Sequence, residues 1–351
     1  MIRSIKSFKY LTPFVLYALA MIAFSGKGIF CWLPLLYTFF VVPGVELLLK
    51  PDAKNLDEVE EALAKSNKSY DLILYAAVVL QYYSLYTFLN SVQVNGLSNM
   101  DIAGKVITMG LLCGTFGINV AHELGHRVNK LEQTLAKLLL LTSLYMHFYI
   151  DHNQGHHKHV ATPGDPSSAR LNQSVYAFWP QTLIGTYLSA WHIAGKALLK
   201  KGKSVFSLQN EMLQFQIIQA AFVFGVYWFW GGTVTIFFVL AALIGGMLLE
   251  TVNYIEHYGL SRNKTSEDRY ERVQPHHSWN SNHVIGRLML FELSRHSDHH
   301  YLASRKYQVL RHMENAPQMP TGYPGMILLS LVPPLWFKVM HAQIKKQGIQ
   351  V

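Results

Sequence analysis

The chain has 351 residues, half of them hydrophobic, with only 15% charged and a formal net charge of +9. A soluble domain carries about 25% charged residues, so this composition excludes an ordinary soluble protein and predicts an integral membrane one. Two cysteines, Cys31 and Cys113, both inside apolar runs, exclude a disulfide framework, a CxxC metal site and a cysteine-ligated iron–sulfur module.

The predicted elements follow in chain order. A basic start (Arg3, Lys6, Lys9) leads into an apolar run with no small-residue cleavage pattern behind it, which predicts an uncleaved first helix. Six apolar segments approach the roughly 20 residues that span a bilayer core: 10–25, 29–49, 72–89, 106–124, 212–230 and 233–253. They pair as three helical hairpins, with very short connections at Gly26-Lys27-Gly28 and Gly231-Gly232 and a longer one over 90–105. Lys50, Lys54, Lys65 and Lys68 join the basic N-terminus on one side, against little beyond Lys27 and Lys105 on the other. The positive-inside bias makes the first side cytoplasmic. Three hairpins then bring everything after the fourth and sixth segments back to that side. The stretches 138–150, 176–199 and 323–340 are short or interrupted by Pro180, His192, Lys196 and Pro333-Pro334. They are expected as interfacial or cap helices. The expected fold is all-α integral membrane: six transmembrane helices in three hairpins, with a cytoplasmic histidine-rich helical cap (125–211 and 254–351). No linker divides residues 1–351, so one domain is expected. The basic residues are scattered, which argues against nucleic acid as a partner.

Nine of the 17 histidines fall in four stretches: His122-Glu-Leu-Gly-His126, His152-Asn-Gln-Gly-His156-His157, Glu256-His257-Tyr-Gly and Arg295-His296-Ser-Asp-His299-His300. Clustered imidazoles repel one another when protonated. They make chemical sense as neutral rings pointed at a cation, since histidine is the commonest metal ligand among side chains. On an α-helix, His122 and His126 share a face, as do His152 and His156, while His157 is displaced by about 100° and can serve a second ion. His296, His299 and His300 repeat the i, i+3 and i, i+4 spacing. Nine nitrogens suffice for two ions with four or five donors each, and an imidazole-rich, carboxylate-poor set selects a borderline transition metal. Excess histidine at two sites fits redox-active iron better than zinc, which takes three or four protein ligands.

Glu123, Asp151, Asp165, Glu256 and Asp298 stand beside these motifs. They are expected to accept the remaining N–H of a ligating imidazole. His147, His159, His192, His276, His277, His283, His312 and His341 lack a repeated motif and read as ordinary hydrogen-bonding residues.

His122-Glu-Leu-Gly-His126-Arg, His152-Asn-Gln-Gly-His156-His157, Asn253-Tyr-Ile-Glu-His257-Tyr-Gly259 and Arg295-His-Ser-Asp-His-His300 resemble the integral-membrane alkane monooxygenases, within the fatty-acid desaturase and hydroxylase superfamily. Ala161-Thr-Pro, Asp165-Pro, Ser168-Ala-Arg170, Ser278-Trp-Asn-Ser-Asn282 and Pro320-Thr-Gly-Tyr-Pro324 extend the resemblance over about 120–340. Asp151 stands where the family has Glu, and Leu171-Asn-Gln-Ser174 where Leu-Gly-Glu-Ser is expected. The resemblance implies two non-haem iron ions held by the nine histidines, and terminal hydroxylation of medium-chain n-alkanes with dioxygen. It also implies electrons from rubredoxin and its reductase, and residence in the bacterial inner membrane. This chain has too few cysteines for a fused rubredoxin. Rubredoxins are acidic, so Arg127, Lys130, Lys158, Arg262, Arg305 and Lys306 are candidates for its docking face. The residues that line the substrate channel, and so the preferred chain length, are not legible.

Three other readings compete. A xylene-type methyl monooxygenase, or a membrane lipid desaturase or hydroxylase, shares the histidine boxes, and Glu256-His257-Tyr258-Gly259 argues against the lipid enzymes. An intramembrane zinc protease would use His122, Glu123 and His126. It commonly needs a distant Asp-Gly aspartate, a pair this sequence lacks. A metal transporter would hold its histidines within the membrane rather than at one face.

Overall fold

The computed structural model describes residues 6–267 and 269–349. It is mainly helical: α1 (Phe8–Ser25), α2 (Gly28–Glu46), α3 (Glu58–Ser66), α4 (Ser69–Ser91), α5 (Asn99–Gly125), α6 (Lys130–Thr142), α7 (Val175–Leu199), α8 (Glu211–His257), α9 (Val284–Met289), α10 (His296–Tyr301), α11 (Tyr323–Ser330) and α12 (Pro333–Lys346). A small antiparallel hairpin, β1 (Lys264–Ser266) with β2 (Arg269–Tyr270), interrupts the helices. Among the described residues, five helices, α1, α2, α4, α5 and α8, are long and apolar enough to cross a membrane.

α8 is two rods. Its 47 residues would run about 70 Å as one helix, roughly twice a bilayer's hydrocarbon core. Gly231 breaks it with φ +81° and ψ 170°, a conformation that a Cβ disfavours. The chain folds back there, so that the rings of Phe222 and Phe238, 16 positions apart, lie 5.7 Å apart. The sixth apolar segment thus runs on to residue 257 rather than ending near 253, and carries Glu256 and His257 in its last turn.

The turns gather at one end of the bundle. Lys27 Nζ reaches the carbonyls of Asn95 and Gly96 at 3.4 and 3.1 Å, and Gln93 donates to the carbonyl of Trp230 at 2.9 Å. The connection expected over 90–105 is shorter than that. Ser98 and Asp101 form a capping box that starts α5 at Asn99. Lys105 lies inside α5, buried, with Nζ on the carbonyls of Phe24 at 2.7 Å and Ser91 at 3.4 Å. It thereby satisfies carbonyls at the C-terminal ends of α1 and α4, which no helical N–H can reach.

α5 and the second rod of α8 run parallel at backbone contact distance. A Cβ on Gly110 would stand 2.5 Å from Ile244 Cγ2, one on Gly114 2.8 Å from Leu248, and one on Gly245 2.5 Å from Cys113 Cβ. Small residues spaced four apart let helix backbones approach where water supplies no hydrophobic drive. Parallel packing in this register delivers the C-terminal ends of both helices, with His122 and His257, to the same end of the bundle. Side chains on the outward faces are large and apolar: Phe40, Val79, Trp228 and Phe229 are each 66–75% exposed. That is the surface of a protein solvated by lipid.

At the end opposite the turns lie α3, α6, α7 and the described residues beyond 257. α7 spans 25 residues with Pro180 inside it. It lies against the last turns of α8, where Trp179 donates to Thr251 at 3.0 Å and Thr182 to Glu250 at 2.5 Å. Pro333 and Pro334 open α12 after a break from α11, as prolines do at a first helical turn.

Candidate metal centre

The nine histidines converge in two groups. His122, His126, His152, His157 and His299 bring one nitrogen each within 4.8 Å of one another, and His156, His257, His296 and His300 do the same. In the first group the Nε2 atoms run His126–His152–His157–His299–His122 with steps of 3.1, 3.0, 3.1 and 2.9 Å. In the second, Nε2 of His257 and His296 are 3.2 Å apart. Rings of the two groups touch: His157 and His300 stack at 4.4 Å.

Local backbone explains the partition. His152–His156 is a π-helical turn, whose wider spacing brings residues five apart into line. His152 therefore shares its group with His157, not with His156 as regular α-helical spacing predicts. The adjacent His156 and His157 fall in different groups, with the pairing corrected. A second π segment, Cys113–Ile118, lies one turn before His122 and rotates the end of α5 relative to its start.

The donor set fits a transition metal. An ion about 2.1 Å from each nitrogen with right angles between ligands separates neighbouring donors by about 3.0 Å, whereas a tetrahedral ion separates them by about 3.4 Å. The observed 2.9–3.1 Å steps match the higher-coordinate geometry. Charge agrees. Burial, then the neighbouring His156 and Arg127, pushes His126 down to about 3. Burial and surrounding imidazoles hold His152, His157, His296, His299 and His300 well below the ordinary histidine range. These rings are neutral at pH 7, with a lone pair available. Burial also pushes His156 down, but the Asp165 carboxylate outweighs it and leaves the ring raised. Its Nδ1 donates to Asp165 Oδ2 at 2.9 Å, and its Nε2 is buried without a partner, as are both ring nitrogens of His300.

Of the expected supporting acids, Asp165 contacts the His156 imidazole. Glu256 Oε2 lies 3.2 Å from His296 Nε2. Asp151 is buried beside the centre, and burial lifts its carboxyl to about 7. Two expectations are corrected. Glu123 is bonded to Arg127 at 2.6 Å and to the Tyr307 N–H at 3.2 Å. Asp298 accepts from Arg305 at 2.5 and 2.6 Å and from the Arg311 N–H at 2.8 Å. Both acids hold arginines that brace the cap and touch no imidazole. The docking set is corrected accordingly. Arg127 is buried, Arg262 is tied to the carbonyls of Lys158 and Glu271, and Arg305 and Lys306 are paired with Asp298 and Asp71. Lys130 and Lys158 are exposed.

Two contacts went unread in the sequence. Tyr323, inside the quoted Pro320–Pro324 stretch, donates to Glu256 Oε1 at 2.7 Å. Glu250, an acid in an apolar run, accepts from Tyr145, Thr182 and Asn253 at 2.7, 2.5 and 3.0 Å. A lone acid in an apolar helix was the available sign. A third cluster, Glu271, His276 and His277, is of another kind. His277 Nδ1 accepts the Gln274 N–H at 2.9 Å, so a neutral ring carries its proton on Nε2 and has no lone pair there for a metal.

An apolar cavity of ≈ 50 Å³ opens beside the centre, lined by Thr38, Phe39, Leu248, Leu249, Val252, Met289, Leu293 and Tyr323 among others. It adjoins Asn119, one turn before His122, and Tyr323, which bonds Glu256.

Two sets of imidazoles, gathered where membrane helices meet the cap, define a membrane protein with a candidate metal centre of the histidine-box class. A sequence profile of the fatty acid desaturase family matches residues 102–330. The chain is 39% identical to alkane 1-monooxygenase 2 of Alcanivorax borkumensis over 90% of its own length and 82% of that protein's. It is 41% identical to alkane 1-monooxygenase 1 of Pseudomonas aeruginosa over 88% and 81%. The hydroxylase component of a xylene/toluene monooxygenase of Pseudomonas putida matches at 30% over 69% and 64%. The chain belongs to the fatty acid desaturase family and, within it, to the alkane 1-monooxygenases. It is a membrane monooxygenase with a metal centre, and the family implies a redox partner.

Proposed function

We propose that this protein hydroxylates the terminal methyl of medium-chain n-alkanes: an alkane, dioxygen, two electrons and two protons give a 1-alkanol and water. The observation that carries the reading is the convergence of nine histidines, seven buried and two half-buried, into sets of five and four beside an apolar cavity. Each set holds one iron ion. Bound and reduced, iron supplies the activation of dioxygen.

The remaining work belongs to the chain. Asp165 accepts a hydrogen bond from Nδ1–H of His156 and so aims the Nε2 lone pair inward. The cap keeps water from the imidazoles, which preserves their neutral form and shields a reactive oxidant from solvent. The cavity between α2, α5, α8, α9 and α11 receives the methyl end of a chain arriving from the bilayer. An alkane offers no polar handle, so shape alone selects the carbon that reaches the centre. α1, α2, α4, α5 and the two rods of α8 form six spans in three hairpins. The cap and both termini lie on the cytoplasmic side of a bacterial inner membrane, and residues 1–351 act as one domain. Electrons come from rubredoxin and its reductase, with Lys130 and Lys158 on the docking face.

The test is metal and product analysis on detergent-purified protein. Two irons per chain, and 1-octanol from octane when rubredoxin, its reductase and NADH are added, are expected. One zinc with no iron, after growth in iron-rich medium, overturns the reading. Methylbenzyl alcohol from xylene in preference to octanol moves the substrate to the methylarenes.

A further inference from the structure

We propose that a basic cavity in the cap, apart from the nine histidines, binds a phosphate group, either free or on a lipid head. The cavity has a volume of ≈ 440 Å³ and opens between the start of α1, the loop before α3 and the segment from Arg287 to Arg295. Its charge does not balance. Lys6, Lys9, Lys54, Arg287 and Arg295 line it, against Asp52, Glu60 and Glu292. Lys6 is paired with Glu60 at 2.6 Å, and the exposed Asp52 stands 3.8 Å from Arg287.

Glu292 is then one buried carboxylate among three cations. It accepts from Arg287 Nε and from the Tyr10 hydroxyl, each at 2.7 Å. Lys9 Nζ stays 3.7 Å away and Arg295 Nε 3.9 Å. Arg295 is 3% exposed. Its terminal nitrogens donate to the carbonyls of Leu310 and Lys54 at 2.7 and 2.8 Å, and its Nε is buried without a hydrogen bond. Carbonyl oxygens orient a guanidinium but do not cancel its charge. Buried charge that lacks its counter-charge is costly, and an anion in the cavity offsets that cost.

Phosphate suits the groups that remain. The planar fork of Arg287 is already engaged with Glu292. Lys9 and Lys54 are exposed ammonium groups at the rim, point charges that bind a tetrahedral phosphate without needing a planar partner. Leu56, Leu63 and Leu310 add an apolar wall, which suits the glycerol end of a phospholipid. Arg295 directly precedes His296 at the start of α10, so a phosphate held here braces the segment that carries three of the nine histidines.

The test uses the full-length protein in a phosphate-free maltoside detergent. Equilibrium dialysis measures binding of ³²P-labelled inorganic phosphate, and mass analysis counts phosphatidylglycerol retained after detergent washing. Saturable one-site binding of inorganic phosphate supports a free phosphate. A retained phosphatidylglycerol that inorganic phosphate displaces supports a lipid head. Lys9→Gln with Lys54→Gln should weaken whichever is bound by at least about tenfold. Lys200→Gln with Lys201→Gln removes the same charge at an exposed site beyond α7 and should leave binding as in wild type. Absence of both kinds of binding overturns the proposal, as does wild-type binding in the Lys9 and Lys54 variant. Equal weakening in the two double variants overturns it too, because it marks diffuse attraction to a basic surface.

Discussion

His156 and His157 are neighbours in the chain yet face different donor groups, and one π-helical turn decides that His157 is the one that joins His152. At this scale each histidine is one donor in a set with no spare, so alanine at any of the nine is expected to abolish hydroxylation, with iron per chain falling from two toward one. Asp165 acts through His156, and Asp165→Asn should lower affinity for the iron of the four-histidine set by about 10–100-fold while leaving the fold intact, as read by chelator release. His277, in the cap and outside both histidine groups, gives a pH prediction. Burial pushes it down to about 4, below its value of about 6.5 in the unfolded chain. The unfolded state therefore binds the extra proton first. The stabilising contribution is whole above pH 6.5 and is lost as pH falls toward 4. His277→Gln should flatten that part of the pH dependence of thermal unfolding, and an unchanged slope would refute the assignment.

At the scale of elements, the contact between α5 and α8 sets the register of the centre. Gly114→Leu must push the second rod of α8 away, because a Cβ there would already lie 3.3 Å from the Gly245 carbonyl and from Leu248 Cβ, which leaves no room for the rest of a leucine. Over-packing of this kind costs about 1–3 kcal/mol. The expected result is a lower unfolding temperature together with loss of iron from both sets, since His122 and His257 ride on the two helices being separated. The same substitution at Gly44, where a Cβ would meet nothing within 4 Å, is the control and should leave both properties unchanged.

For the whole molecule, one end carries tight turns and the other carries all the chemistry. The charged residues that reach solvent there can act on a partner; those paired inside the cap cannot. Reversing charge at Lys130 and Lys158 together should raise the KM for an acidic electron donor, and more so at low salt, where the Debye length is long. The KM for the alkane should not move. A shift in the alkane KM instead would place these lysines in the path of the substrate.

Composition, apolar run lengths and the spacing of histidines were enough to read a membrane protein, several of its helices and the nine imidazoles that gather in two groups. Each of these depends on local rules: a helix spans because about 20 consecutive residues are apolar, and imidazoles four apart share a face. Which imidazole joins which group was not legible, because a π turn changes the angle per residue without altering composition. Nor were the partners of the acids. Asp298 has histidines on both sides in sequence but Arg305 in space, and Glu123 serves Arg127. A carboxylate goes to the strongest donor within reach, and reach is decided by where the cap folds. The Tyr323–Glu256 bond joins residues 67 positions apart, a distance that only tertiary packing closes.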